Sequence, residues 1–219
     1  MVAERIFTTG DLLRRTARLA RGNPGKLLFA IGLLTALASA IDLQEANGLS
    51  LNLVLLGASL WFQYDVSLAL LNAAGWMPEG YRPTRLGALL GLLLLSEAAI
   101  FLGLLLLVVP GLLLAVRWIM SVPIMIAEET GIVEALRRSW EETAGLFWPI
   151  LVFVLILYPA MFAAAAGFEW LRQTGADPGW SIVAQNLIIY LCLAAGWCAA
   201  VAAYALRGGS RERLDDVFA

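Results

Sequence analysis

No histidine occurs in the sequence, only two cysteines do, and charged residues make up just 15% of it. The missing histidine removes the usual general base near neutral pH, the Ser-His and Cys-His nucleophile systems, and imidazole metal ligands. Cys192 and Cys198 lie six residues apart in one apolar stretch. On a helix they point about 240° from each other and cannot bridge. Their spacing matches no zinc or redox motif, so both read as small buried residues. With a net charge of −2 and no basic domain, the chain offers nothing to a nucleic acid. Walker, dinucleotide-binding and nucleophile-elbow motifs are missing as well, so neither a cofactor nor an enzymatic activity is expected.

What the chain has in excess is apolar mass. Hydrophobic residues make up 61% of it, against about 45–50% in soluble domains. Six helices of about 20 residues would use roughly 120 positions, which leaves little for a soluble domain. Six runs qualify, at residues 27–41, 49–71, 86–109, 112–127, 146–168 and 182–206. Only Pro110-Gly111 separates the third from the fourth, which reads as a tight hairpin. Residues 1–26 form a polar, Arg-rich segment with no cleavable signal peptide, and residues 207–219 form a tail. The expected fold is all-α: a polytopic membrane protein with six transmembrane helices as three hairpins.

Orientation follows from the cations. With the N-terminus inside, thirteen of the fifteen Lys and Arg residues fall on the inner side. Arg172 alone falls outside, and Arg117 lies within a span. That asymmetry predicts both termini in the cytoplasm.

Two inner stretches have amphipathic helical patterns. In residues 11–21, Leu12, Leu13, Thr16, Ala17, Leu19 and Ala20 share one side, while Arg14, Arg15, Arg18 and Arg21 share the other. In the segment 131–144, Ile132, Val133, Leu136 and Trp140 oppose Glu134, Arg137, Arg138, Glu141 and Glu142. Such helices lie at the headgroup boundary. The four arginines of the first would gain about 1 kcal/mol each near anionic lipid. The second neutralises itself through i,i+4 pairs such as Glu134–Arg138 and Arg137–Glu141. Packing of either on the bundle as an ordinary connector is the alternative. "DLLRRTARLARG" from Asp11 aligns with "EALRRSWEETAG" from Glu134 at an offset of 123 residues. This points to a repeated unit of interfacial helix plus hairpin, parallel because each unit starts inside.

Small residues recur at four-residue spacing as Gly32, Ala36 and Ala40, as Gly87, Gly91, Ala99 and Gly103, and as Ala195, Ala199 and Ala203. These faces suit close packing within the bundle, with "GALLG" from Gly87 as the candidate homo-oligomer face. Asp65, Glu97 and Arg117 are the ionisable residues within spans, where each costs about 2.5–3.5 kcal/mol without a partner. Asp65 lies near the inner end, within reach of headgroup water. Glu97 and Arg117 are expected to pair or to share a polar cavity, with Gln185 and Asn186 as further lining and Pro123 kinking the fourth span toward it. That pair reads either as a structural staple or as a working site for an anionic headgroup or a proton. Glu128-Glu129 and Glu141-Glu142 read as caps and ion-pair partners rather than as a cation site. Trp76, Tyr81, Trp148 and Trp180 read as an interfacial belt.

The succession of Pro110-Gly111, Arg117-Trp118, Pro123 and "EALRRSW" from Glu134 to Trp140 resembles a known family. It is the bacterial glycerophosphodiester phosphodiesterase membrane-domain family, with the related YciC-like inner-membrane proteins. "LLRRTARLARGNPGKLL" and "AGWMPEGYRP" extend the likeness over most of the chain. The resemblance implies a six-helix module of the bacterial inner membrane. The family takes its name from members fused to a catalytic barrel. This chain has neither room for that barrel nor the histidine for its chemistry, so the phosphodiesterase activity is not expected here. The leading expectation is a non-enzymatic inner-membrane protein that binds membrane lipids or a protein partner. A transporter or channel-like protein for a small or lipid-like solute, with Glu97 and Arg117 in the pathway, is the alternative.

Overall fold

Prolines decide where most of the helices begin. The computed structural model describes residues 7–44, 49–77, 86–175 and 178–218, and all of its regular elements are helical. They are α1 (Thr9–Gly22), α2 (Pro24–Leu43), α3 (Leu49–Ala73), α4 (Leu86–Leu106), α5 (Val108–Arg117), α6 (Ser121–Ala127), α7 (Ile132–Glu142), a 3-10 turn (Thr143–Leu146), α8 (Phe147–Gln173) and α9 (Pro178–Phe218). Pro24 and Pro178 are the first residues of α2 and α9, while Pro110, Pro123 and Pro149 are the third residues of α5, α6 and α8. A first-turn residue has no intrahelical use for its N–H, so proline costs nothing there.

The same rule corrects two expectations. The break expected at Pro110-Gly111 falls three residues earlier, at Leu107, whose φ of −158° and ψ of 134° are extended. Proline cannot donate to the carbonyl four residues back and its ring clashes with it, so α4 must stop at Leu106. Pro123 acts on Ile119 in the same way. The fourth run is therefore two helices joined by a turn at residues 118–120, where one kinked helix was expected. α9 also runs beyond its expected end, through Gly208 to Phe218.

Six stretches are long and apolar enough to cross a membrane: Pro24–Leu43, Ser50–Ala73, Leu86–Leu106, Val108–Ala127, Ile132–Gln173 and Gly179–Gly208. Large apolar side chains stand exposed along them, Phe29, Phe101, Ile156 and Phe162 among them. Surface of this kind needs lipid around it, so the protein is a multi-pass membrane protein. The contacts close a ring in the order α2, α3, α4, α5, α8, α9 and back to α2. α6 packs on α3, α4, α7 and α9, and Ser121 through Ile126 are all buried.

The amphipathic segments pack on this ring. Thr8 caps α1 reciprocally with Asp11: the Thr8 N–H donates to the carboxylate at 3.0 Å and its hydroxyl accepts from the Asp11 N–H at 3.2 Å. α1 buries Leu12, Thr16 and Leu19, chiefly against α8 and α9. α7 buries Ala135, Leu136, Ser139 and Glu142 against α4, α5 and α6. At the offset of 123 residues, Leu12, Thr16 and Leu19 correspond to Ala135, Ser139 and Glu142, and the start of α2 corresponds to the start of α8. α1 thus leans chiefly on α8 and α9, and α7 chiefly on α6 with α4 and α5, rather than on the pair that follows it.

Candidate functional site

The site is built around the close packing of α4 and α5. A Cβ on Gly103 would stand 3.0 Å from the Gly111 backbone, and one on Gly111 would stand 2.6 Å from the Leu104 backbone nitrogen. Only two glycines allow the two helices this approach. Gly91 is close to Ile132 of α7, while Gly32 and Gly87 face open space. The small residues of α4 are therefore divided between contacts within the chain and its outer surface. Ala199 and Ala203 are fully buried in the bundle, as expected of such faces.

Glu97 and Arg117 each lie six residues from the facing glycine of their own helix, which sets them at one level. They nevertheless do not pair. The Arg117 guanidinium stacks on the rings of Trp140 and Phe147, 5.2 and 5.3 Å from their centroids, and donates to the Trp140 carbonyl at 3.1 Å. Its own carbonyl, freed by the turn before α6, accepts from the Ser139 hydroxyl at 2.7 Å. Arg117 thus ties the broken helix to α7 and the start of α8. Irregular backbone at membrane depth survives only where side chains satisfy it in this way.

Glu97 instead lines a half-open cavity of about 360 Å³ formed by α3, α4, the α5–α6 turn, α8 and α9, and is itself exposed there. Gln63, Ser67, Ser96, Ser121 and Tyr158 are its polar neighbours there, and the remaining wall is aliphatic or aromatic, including Trp118 and Trp197. Tyr158 lies near enough to feel the Glu97 charge. Among the described residues, no Lys or Arg lines this cavity and Glu97 has no ion pair or hydrogen bond. Sequence reasoning missed Tyr158, Gln63 and Cys192 as lining residues. Tyr158 and Gln63, polar within apolar runs, were the signals available.

The other expected lining residues lie elsewhere. Asp65 pairs with Lys26 across α2 and α3 at 3.0 Å. Gln185 accepts from Arg172, itself paired with Glu169. Asn186 donates to Asp42 at 2.9 Å and to Ser39 at 3.3 Å. Of the four polar residues expected to share a cavity, only Glu97 reaches it, and Asp65 lies outside it as well. Cys192 lines it too, whereas Cys198 is 1% exposed, and both are free thiols.

At the end of the bundle that carries α7, Arg138 binds Glu128 and Glu134 together, and the Tyr204 hydroxyl donates to Glu128 at 3.3 Å. The expected pairs Glu134–Arg138 and Arg137–Glu141 form at 2.9 and 3.4 Å. Hydrogen bonds from Arg137 and Arg138 hold the Glu134 carboxyl down at about 2 and push both guanidinium values up. Arg14, Arg18 and Arg21 are exposed and Arg15 half-buried, with no carboxylate partner among the described residues. Trp148 and Trp180 stand outward as a belt would. Trp76 does not: its ring meets Tyr204 edge-on at 5.5 Å and lies over Gly208. Tyr81, Arg5, Arg82 and Arg85 lie outside the described residues.

No curated protein and no solved structure matches the chain. The segment that supplies Glu97, Arg117, Tyr158 and Cys192 is also the segment with a family match. Residues 90–192 match the family described as the membrane domain of glycerophosphoryl diester phosphodiesterase.

Proposed function

We propose that this protein is a non-enzymatic module of the bacterial inner membrane that holds a membrane lipid in its central cavity. The observation that carries the reading is the cavity itself, about 360 Å³, largely apolar, with one carboxylate among its polar groups. Small-molecule sites have this character: apolar walls of about 300–1,000 Å³ with few polar groups to orient the occupant. In this reading the six spans form three hairpins with both termini in the cytoplasm, as the distribution of Lys and Arg supports. α1 and α7 lie at the inner headgroup boundary. Val133 and Trp140, 74% and 39% exposed, are the α7 side chains that enter lipid, and Leu13 does so from α1. Arg14, Arg18 and Arg21 face anionic headgroups, each adding about 1 kcal/mol.

Mass spectrometry of the protein released from mild detergent tests both parts. Lipid is expected to stay bound, and Gly196→Leu, which fills the cavity, is expected to lower its amount. Changing Arg14, Arg15 and Arg18 to Gln is expected to lower the anionic share. Lipid content unaffected by Gly196→Leu would defeat the cavity reading. The alternative of transport through a Glu97–Arg117 pathway loses support from Arg117, which faces Trp140 and Phe147 and not the cavity.

A further inference from the structure

A carboxylate at membrane depth takes either a cationic partner or a proton, because an unpaired charge in hydrocarbon is costly. No Lys or Arg lines the cavity among the described residues, and the cations of the flanking helices are engaged elsewhere: Arg117 with Trp140 and Phe147, Lys26 with Asp65, and Arg172 with Glu169 and Gln185. Two of the hydroxyls beside Glu97, those of Ser96 and Ser121, have spent their protons as well. Ser96 donates to the Leu93 carbonyl at 3.2 Å and Ser121 to the Trp118 carbonyl at 2.7 Å. What they keep free are oxygen lone pairs. The polar part of the cavity thus sets these acceptors and the Glu97 carboxyl beside Gln63, Ser67 and Tyr158, and Trp118, Phe153, Tyr158 and Trp197 add aromatic rings to its wall. Aromatic faces and a carboxylate together suit an ammonium group, which has donors and no acceptors. They repel a phosphate.

The helix lengths show where a tail would lie. α5 has ten residues, about 15 Å, and its lower end is fixed to Trp140 and Phe147. α8 starts at that same Phe147 and continues for 27 residues, about 40 Å. The α4–α5 tip therefore stops short of the far end of α8. Leu105, Leu106, Leu107, Val108 and Val109 cover that tip and are 62–76% exposed. A hydrocarbon chain rising from the cavity meets only apolar surface there.

We propose that the cavity binds the ammonium head of a single-chain or two-chain amphiphile, with Glu97 as its counter-ion and the hydrocarbon passing over the α4–α5 tip. This inference rests on the reading of the cavity as a lipid site and adds the chemistry of the head.

The test uses Cys192, which shares the cavity, as a reporter of occupancy in the full chain in nanodiscs. Its alkylation by a small membrane-permeant thiol reagent is followed with increasing dodecylammonium, dodecanol or dodecyl phosphate. Dodecylammonium is expected to protect at about tenfold lower concentration than dodecanol, a difference of about 1.4 kcal/mol, and dodecyl phosphate is expected to protect least. Glu97→Gln is expected to erase the ammonium advantage and leave dodecanol unchanged. Equal protection by ammonium and alcohol in the unaltered chain overturns the proposal while sparing the lipid-site reading. No protection by any of the three defeats both. Repeating the ammonium titration in discs of phosphatidylethanolamine and of phosphatidylglycerol identifies the source. Weaker apparent binding in the first supports an aminolipid occupant, and equal binding in both supports a free lipophilic amine.

Discussion

Gly111→Ala is the sharpest probe of how the site is assembled. The added methyl would stand 2.6 Å from the Leu104 backbone nitrogen, whereas ordinary contact begins near 3.4 Å. The two helices must therefore separate by about 0.8 Å, because a backbone atom cannot rotate aside. Overpacking of this kind costs about 1–3 kcal/mol, partly offset by about 1 kcal/mol of better helix propensity. Gly87→Ala supplies the contrast, since nothing lies within 4 Å of its new methyl, and it is expected to be neutral or stabilising. Thermal unfolding in micelles, followed by tryptophan fluorescence, should rank Gly87→Ala above the parent and Gly111→Ala below it by several degrees. Gly103→Ala, with 3.0 Å to the Gly111 backbone, should fall between them. A Gly111→Ala protein as stable as Gly87→Ala would refute the close approach of α4 and α5, and with it the common level of Glu97 and Arg117.

Further expectations concern charge and access. Glu97→Leu and Arg117→Leu should act additively on stability, within about 0.5 kcal/mol, since the residues share no partner; an ion pair would show as coupling in the double-mutant cycle. Arg117→Leu should couple instead to Trp140→Leu. The Glu134 carboxyl is held down at about 2 by Arg137 and Arg138, below about 4.3 for the unfolded chain. Its contribution is therefore complete above the unfolded value and lost as pH falls toward 2. Docking of α7, read by hydrogen exchange, should loosen over that window, and Glu134→Gln should remove the dependence. Cys192 should react with a permeant thiol reagent well before Cys198, which is 1% exposed; comparable rates would contradict the cavity.

Axial position was legible in the sequence and direction around the helix was not. The apolar runs marked where helices run, and the i,i+4 pairs of α7 form as their spacing requires. Counting residues from the inner ends puts Glu97 and Arg117 at similar depths, whereas counting from Pro110-Gly111 offsets them by about 9 Å. Depth alone does not say which way a side chain points. Arg117 is drawn off by two aromatic rings on a segment more than twenty residues later, a contact that no local pattern encodes. The positions of the breaks were recoverable in principle, because Pro110 and Pro123 act four residues upstream of themselves. The face that α7 buries in the bundle is a separate matter from its apolar face. Hydrophobicity marked Ile132, Val133, Leu136 and Trp140 as the side turned to lipid, and Val133 and Trp140 are exposed, whereas the close fit against the neighbouring helices covers the small Ala135 and Ser139 together with Leu136.

α6, a seven-residue helix buried from Ser121 through Ile126 and wedged among α3, α4, α7 and α9, has no free side on which to swing. Any opening of the cavity on the α6 side therefore disturbs four helices at once.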